Sequence, residues 1–153
     1  GDAARDRALR RPQSVVDAQF SAFYTVATAL VTGHVLLEHL TEDGLADPAI
    51  LRMAERVSVV LDESLQVRDR DVQPQVVEIV TRGGERLARQ VDYPKGSPQW
   101  PMSTAERIEK YWNCMAHAAV PIPRARAEEA LAMIEDLERL ERISGLTKLL
   151  VAA

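Results

Sequence analysis

Apolar positions recur with helical spacing between Ser14 and Thr32. In SVVDAQFSAFYTVATALVTG they fall at Phe20, Phe23, Tyr24, Val26, Ala27, Leu30 and Val31. That stripe predicts a buried helix. Gly33 stands where a glycine stop belongs. In the following HVLLEHLTEDGLADPAILRMAERV, Thr41 is placed to cap a short turn that Gly44 ends. Asp47 is placed to cap a second helix, with Pro48 in its first turn, running to about Arg56. The period then shortens. Val57, Val59 and Leu61 alternate with Ser58, Val60 and Asp62, which predicts a strand. Residues 63–74 read as a charged loop. QVVEIVTRGGERLARQVDY reads as a β-hairpin: Val77, Ile79 and Thr81 share a face, Gly83 and Gly84 make the turn, and Leu87, Arg89 and Val91 lie on the return strand. That hairpin is expected to share a sheet with Val57–Leu61. YPKGSPQWPMS, with three prolines, is a loop.

Beyond Ser103 the pattern is helical again. Ser103 and Glu106 make a capping-box signature. The helix they open is expected to reach about Ala119 and stop at Pro121. Another begins near Pro123 and carries Ala127, Ala130, Leu131, Ile134, Leu137 and Leu140 on one stripe. Gly145 interrupts the pattern before a short last helix in LTKLLV. Residues 1–12, GDAARDRALRRP, are polar and arginine-rich and read as a flexible lead-in. The order helices, strands, helices indicates an α+β fold. The expected division is a lead-in over 1–12, an α+β domain over 13–102 and a helical segment over 103–153.

Composition narrows the classes. The 153 residues include 46% apolar and 27% charged positions, which suits one globular domain. A net charge of -4 disfavours a general nucleic-acid binder. The apolar runs are too short for a membrane span. No hydrophobic signal core is visible, so a cytoplasmic location is the expectation. The single cysteine, Cys114, cannot form an internal disulfide. It sits mid-helix near Trp112 and Met115 and is expected to be a buried, inert thiol.

The chemistry-bearing residues do not assemble into a catalytic set. His34 and His39 are five apart and do not share a helix face, so no metal site is expected from their spacing. His117 reads as a structural histidine. Glu128–Glu129 and Asp62–Glu63 read as solvated faces. Gly83-Gly84 is a hairpin turn and not a phosphate loop. Two segments stand out: the YPKGSPQWP loop and the QFSAFY stretch.

Those two segments carry a resemblance. RPQSVVDAQFSAFYTVATALVTGHVLLEHL resembles the MmgE/PrpD-family segment that reads acidic residue, Ala, Lys, Phe, Ser, then Tyr three later, before an alanine-rich helix ending in Gly. YPKGSPQWPMSTAERIEKYW resembles the family's Gly-Ser-Pro-x-x-Pro-[ML]-[ST] loop and the helix after it. EALAMIEDLERLERISGLTKLL resembles its closing helices. The likeness runs in order from about Arg11 and covers the family's C-terminal third.

The resemblance implies a fold and an activity. Family members, such as 2-methylcitrate dehydratase, cis-aconitate decarboxylase and iminodisuccinate epimerase, act on small carboxylates without a metal or organic cofactor. They combine an all-helical domain with a smaller α+β lid. This chain then corresponds to part of the lid, with a small antiparallel sheet, followed by C-terminal helices that pack on an all-helical domain from another chain. The implied reaction is proton abstraction beside a carboxylate with loss of water or CO2. Epimerisation and a non-catalytic, partner-binding module are the alternatives. The family's histidine and lysine machinery lies mainly upstream of the matching segments, so the isolated chain is expected to be inactive.

The resemblance also assigns residues. Tyr24 corresponds to a tyrosine that faces substrate and is the implied catalytic group, expected to point at a cleft shared with a partner. Ser21 lies on the same segment. Gln19 stands where lysine is common, and Phe23 where proline is common. In the loop, Lys95 and the Gly96 N–H are placed to bind a carboxylate. No nucleic acid or membrane is implied as a partner.

Overall fold

The computed structural model describes residues 3–68 and 70–151, with side chains described from Asp6 onward. Among these residues there are eight α-helices and one two-stranded antiparallel sheet, an α+β arrangement. They form two compact units, one from residues 1–57 and 108–153 and one from residues 58–107.

The first unit begins with a helix, α1 (Ala3–Arg10), where the lead-in is expected to be flexible. Its last turn explains why it holds. The Arg10 guanidinium donates to the carbonyls of Ala54 (3.0 Å) and Glu55 (2.8 Å) and lies 4.6 Å over the Phe23 ring. A cation there caps the carbonyl end of another helix, α5 (Pro48–Ala54). Residues 1–2 lie outside the described chain.

The long helix expected over Ser14–Thr32 is broken. It forms α2 (Val15–Gln19) and α3 (Ala22–Thr32), because the Ser21 side chain accepts from the Tyr24 N–H and starts a new helix. A serine in a periodic stripe reads equally as interior or as a cap, so spacing alone does not reveal the break. Gly33, at φ 83°, ends α3 in the left-handed conformation expected of a glycine stop. A 3-10 turn (Leu37–Leu40) leads to α4 (Glu42–Leu45), capped by Thr41, and then to α5, capped by Asp47 with Pro48 in the first turn. The core lies between α3 and α5. Ala18, Tyr24, Ala27, Ile50 and Ala54 are buried, with Leu40, Leu45, Met53 and Val57 packed against them.

The unit is completed by the C-terminal helices. These are α6 (Thr104–Ala116), which starts in the other unit, α7 (Arg124–Glu135) and α8 (Ser144–Leu150). Both α6 and α7 end sooner than their apolar stripes suggest, and Leu137–Arg139 is a separate 3-10 turn. Ala127 and Ala130 of α7 are buried, as is Leu146 of α8. The Tyr111 hydroxyl donates to the Ala127 carbonyl at 2.7 Å, fastening α6 to α7. Cys114 is exposed rather than buried, because α6 turns that face outward.

The second unit holds β1 (Gln75–Val80) and β2 (Arg86–Val91), with Gln75 opposite Val91 and Val80 opposite Arg86. The turn is the expected one. The Gly84 N–H donates to the Thr81 carbonyl (3.0 Å), and the Thr81 N–H donates to the Glu85 carbonyl (2.9 Å). Only Gly84, at φ 85°, takes the left-handed conformation, which closes a three-residue loop. The strand expected over Val57–Leu61 does not form. The sheet has two strands only, and Val59, Val60 and Leu61 are 57%, 82% and 78% exposed. Alternation marks a chain that can pair, but pairing also needs a partner edge.

Candidate functional site

Tyr24 occupies the centre of the first unit. Its residue surface is fully buried, in contrast to the expectation that it faces a cleft. The phenol lies within hydrogen-bond reach of two backbone carbonyls, His39 at 2.7 Å and Gly44 at 2.9 Å. Burial raises its pKa above the usual phenol value, because the anion loses water. The same knot explains Gly44. A Cβ there would stand 2.5 Å from the Glu38 carbonyl oxygen and 2.7 Å from that of His39, so only glycine lets the two backbones approach. In this arrangement the phenol ties α3 to the 3-10 turn and to α4.

Ser21 is likewise inside, 1% exposed. Its hydroxyl donates to the Leu9 carbonyl and accepts the Tyr24 N–H, so both of its roles are taken. Gln19, the last residue of α2, is exposed, and Phe20 beside it is 82% exposed. Of the three residues assigned on this segment, only Gln19 presents its side chain to an incoming molecule.

The loop residues lie in the second unit. The Gly96 N–H donates to the Trp100 carbonyl at 2.8 Å, with Gly96 at φ 93°. It therefore staples the loop instead of being offered to a carboxylate. The Lys95 ammonium pairs with the Glu106 carboxylate and lies 5.7 Å over the Trp100 ring. Lys95 first, and then the Ser103 backbone N–H and hydroxyl, hold the Glu106 carboxyl well below the usual range, at about 2. The Ser103 contacts are the capping box seen in the sequence: the Ser103 N–H donates to Glu106 at 2.9 Å, and the Glu106 N–H donates back to the Ser103 hydroxyl at 3.3 Å.

Beside this loop is a shallow groove that the spacing rules miss. Arg89, Gln90, Val91, Asp92, Tyr93 and Trp100 line it. The Arg70 guanidinium stacks 4.1 Å over the Tyr93 ring and donates to the Asp92 carbonyl at 2.6 Å. The available signal was compositional. Tyr93 and Trp100 flank the proline loop of a chain with only 5% aromatic residues.

A helical unit built around a buried tyrosine, carried in one chain with a hairpin and a stapled proline-glycine loop, defines an α+β domain. The family model for the MmgE/PrpD C-terminal domain matches residues 2–138. The chain therefore belongs to the MmgE/PrpD family, through its C-terminal domain. No curated protein matches it significantly.

Proposed function

We propose that this chain is the C-terminal, lid-bearing part of an MmgE/PrpD-type lyase that acts on a small carboxylate. The reaction is proton abstraction beside the carboxylate with loss of water or CO2, without a cofactor. A second protein chain supplies the all-helical domain and the acid–base residues. The observation that carries this reading is the family match over residues 2–138.

Surface character supports the partner. Val16, Phe20, Leu30, Val31 and Val35 near α2 and α3 are 37–82% exposed, and so are Ile134, Leu137 and Leu150 at 37–47%. Burying such a surface suits an obligate interface above about 2,000 Å². Gln19 is the exposed candidate for substrate contact. Lys95 reaches an anion only by exchanging Glu106 for it, which a carboxylate ligand can bring about. Tyr24 acts indirectly, by fixing the fold of the unit that presents Gln19.

The test is co-expression with a chain resembling the family's N-terminal part, followed by assay of the purified complex on a panel of small di- and tricarboxylates. The reading expects a stable complex that releases water or CO2 from at least one of them, with no turnover by this chain alone. A complex that forms but is inert on the whole panel contradicts the lyase reading. A monodisperse 17.0 kDa monomer that ignores the second chain contradicts the assembly.

A further inference from the structure

Three side chains separated by sequence spacing meet where the chain leaves α3. The left-handed turn at Gly33 and the 3-10 turn over Leu37–Leu40 bring His34, Glu38 and His39 together. One nitrogen of each imidazole and one oxygen of the carboxylate all lie within 4.8 Å of one another. The two ring centroids are 5.4 Å apart, with the planes inclined by 59°. Bonds from zinc to imidazole or carboxylate are about 2.0–2.2 Å, so ligand atoms around a tetrahedral ion stand about 3.3 Å apart. Reaching that spacing takes side-chain rotation of His34 and Glu38, both exposed.

Two of the three groups already have hydrogen-bond partners, one that supports ligation and one that competes with it. The Asn113 amide of α6 accepts the Leu37 N–H at 3.2 Å and donates to Glu38 Oε2 at 3.0 Å. This orients the carboxylate, as outer partners do for metal ligands, and the backbone N–H of Glu38 also lies against the group. The His39 ring is anchored by the Leu36 N–H, which donates to its Nδ1 at 3.0 Å. A neutral ring in that bond carries its proton on Nε2. Metal binding at either nitrogen of His39 breaks this bond: coordination at Nδ1 displaces the Leu36 N–H, and coordination at Nε2 moves the ring proton to Nδ1, where it faces that N–H, so His39 is the weakest of the three ligands.

We propose that His34, Glu38 and His39 form a binding site for a divalent transition-metal ion of the zinc class. Two imidazoles and a carboxylate suit Zn²⁺, Ni²⁺ or Cu²⁺ over Mg²⁺ or Ca²⁺, and water completes the coordination. The ion would tie the turn after α3 to α6 through Asn113. This goes beyond the reaction proposed above and does not depend on it.

The test is calorimetric titration of the full chain with ZnCl2 near neutral pH. One ion per chain is expected to bind. His34→Ala and Glu38→Gln should each weaken binding by at least about tenfold, and Asn113→Ala by less. Both ligand positions are exposed, and circular dichroism checks that the variants fold. His117 is the control. Its Nδ1 is 2.9 Å from the Asn113 carbonyl, and its side chain is exposed. His117 touches the site only through its charge on Glu38, so His117→Ala should change affinity far less than His34→Ala. The proposal is overturned if wild type shows no saturable binding, if the His34 and Glu38 variants bind as tightly as wild type, or if affinity follows His117 instead.

Discussion

The two units of this chain are stabilised in different ways. Every buried hydrophobic side chain among the described residues, from Ala18 to Leu146, belongs to the unit of residues 1–57 and 108–153. Among the described residues of the unit 58–107, Pro74 alone is buried. Yet the hairpin there is not polar. Val76, Val77, Val80 and Leu87 are 41–51% exposed, and β1 carries apolar residues on both faces like a strand from a sheet interior. Two strands alone are marginally stable in water. The lesson is that apolar content does not measure stability. Burial stabilises the first unit, whereas the second relies on turn geometry, and its ion pairs, such as Glu78–Arg86 at 2.5 Å, are exposed. Exposed pairs of that kind contribute little.

The largest expected effect lies in the first core. Tyr24→Ala should cost about 3–5 kcal/mol in chemical denaturation, as the loss of a fully buried aromatic does. Gly44→Ala should cost about 1–3 kcal/mol or more, because the added methyl meets backbone that cannot rotate away. Val77→Ala, on the half-exposed hairpin, should change stability by only about 0.5 kcal/mol. Equal losses at Tyr24 and Val77 would erase the contrast between the units.

A sharper comparison is available within the hairpin turn. Gly84→Val forces a β-branched residue to φ 85°, at about 1–3 kcal/mol. Gly83 is not in the left-handed region, and the nearest atom to its Cβ position is the Thr81 hydroxyl at 3.8 Å. Gly83→Ala should therefore leave amide exchange at Thr81 and Gly84 nearly unchanged, while Gly84→Val accelerates it. Similar behaviour of the two variants would mean that the turn has another conformation.

Much of the fold was legible because caps and stops are local chemistry. Gly33, Thr41, Asp47–Pro48 and Ser103–Glu106 act within one turn of where they stand, so the residue types alone announce them. What stayed hidden depends on distant partners. Ser21 starts a new helix by capping the Tyr24 N–H, and its hydroxyl is held in place by the distant Leu9 carbonyl. Val57–Leu61 has the alternation of a strand and no edge to pair with. His34 and His39 meet only because the chain turns twice between them. Of the candidate site, the segments were visible through the family resemblance, but the orientations were not. No periodicity says whether an aromatic in an apolar stripe points at substrate or, like Tyr24, at two carbonyls of its own chain.

The smallest effect is electrostatic and lies in the second unit. The folded pKa of Glu106 is depressed to about 2, so its pairing with Lys95 and Ser103 stabilises the loop above the ordinary glutamate range. That contribution fades as pH falls through the range from about 4.5 to about 2. A carboxyl NMR titration should place Glu106 below the other glutamates, and Lys95→Ala should move it back up. High salt should weaken the pair, since both partners are exposed. A Glu106 that titrates with the others would show the pair to be absent in solution.

The Tyr24 phenol ties α3 to the turn that follows it. Tyr24→Phe keeps the ring and removes one hydroxyl, and denaturation of the purified chain reads the consequence directly. Loss of the hydroxyl that faces the His39 and Gly44 carbonyls should cost about 0.5–1.5 kcal/mol, with faster amide exchange across residues 37–45. Unchanged stability and unchanged exchange in Tyr24→Phe would contradict the account, because the phenol would then be free to serve a substrate.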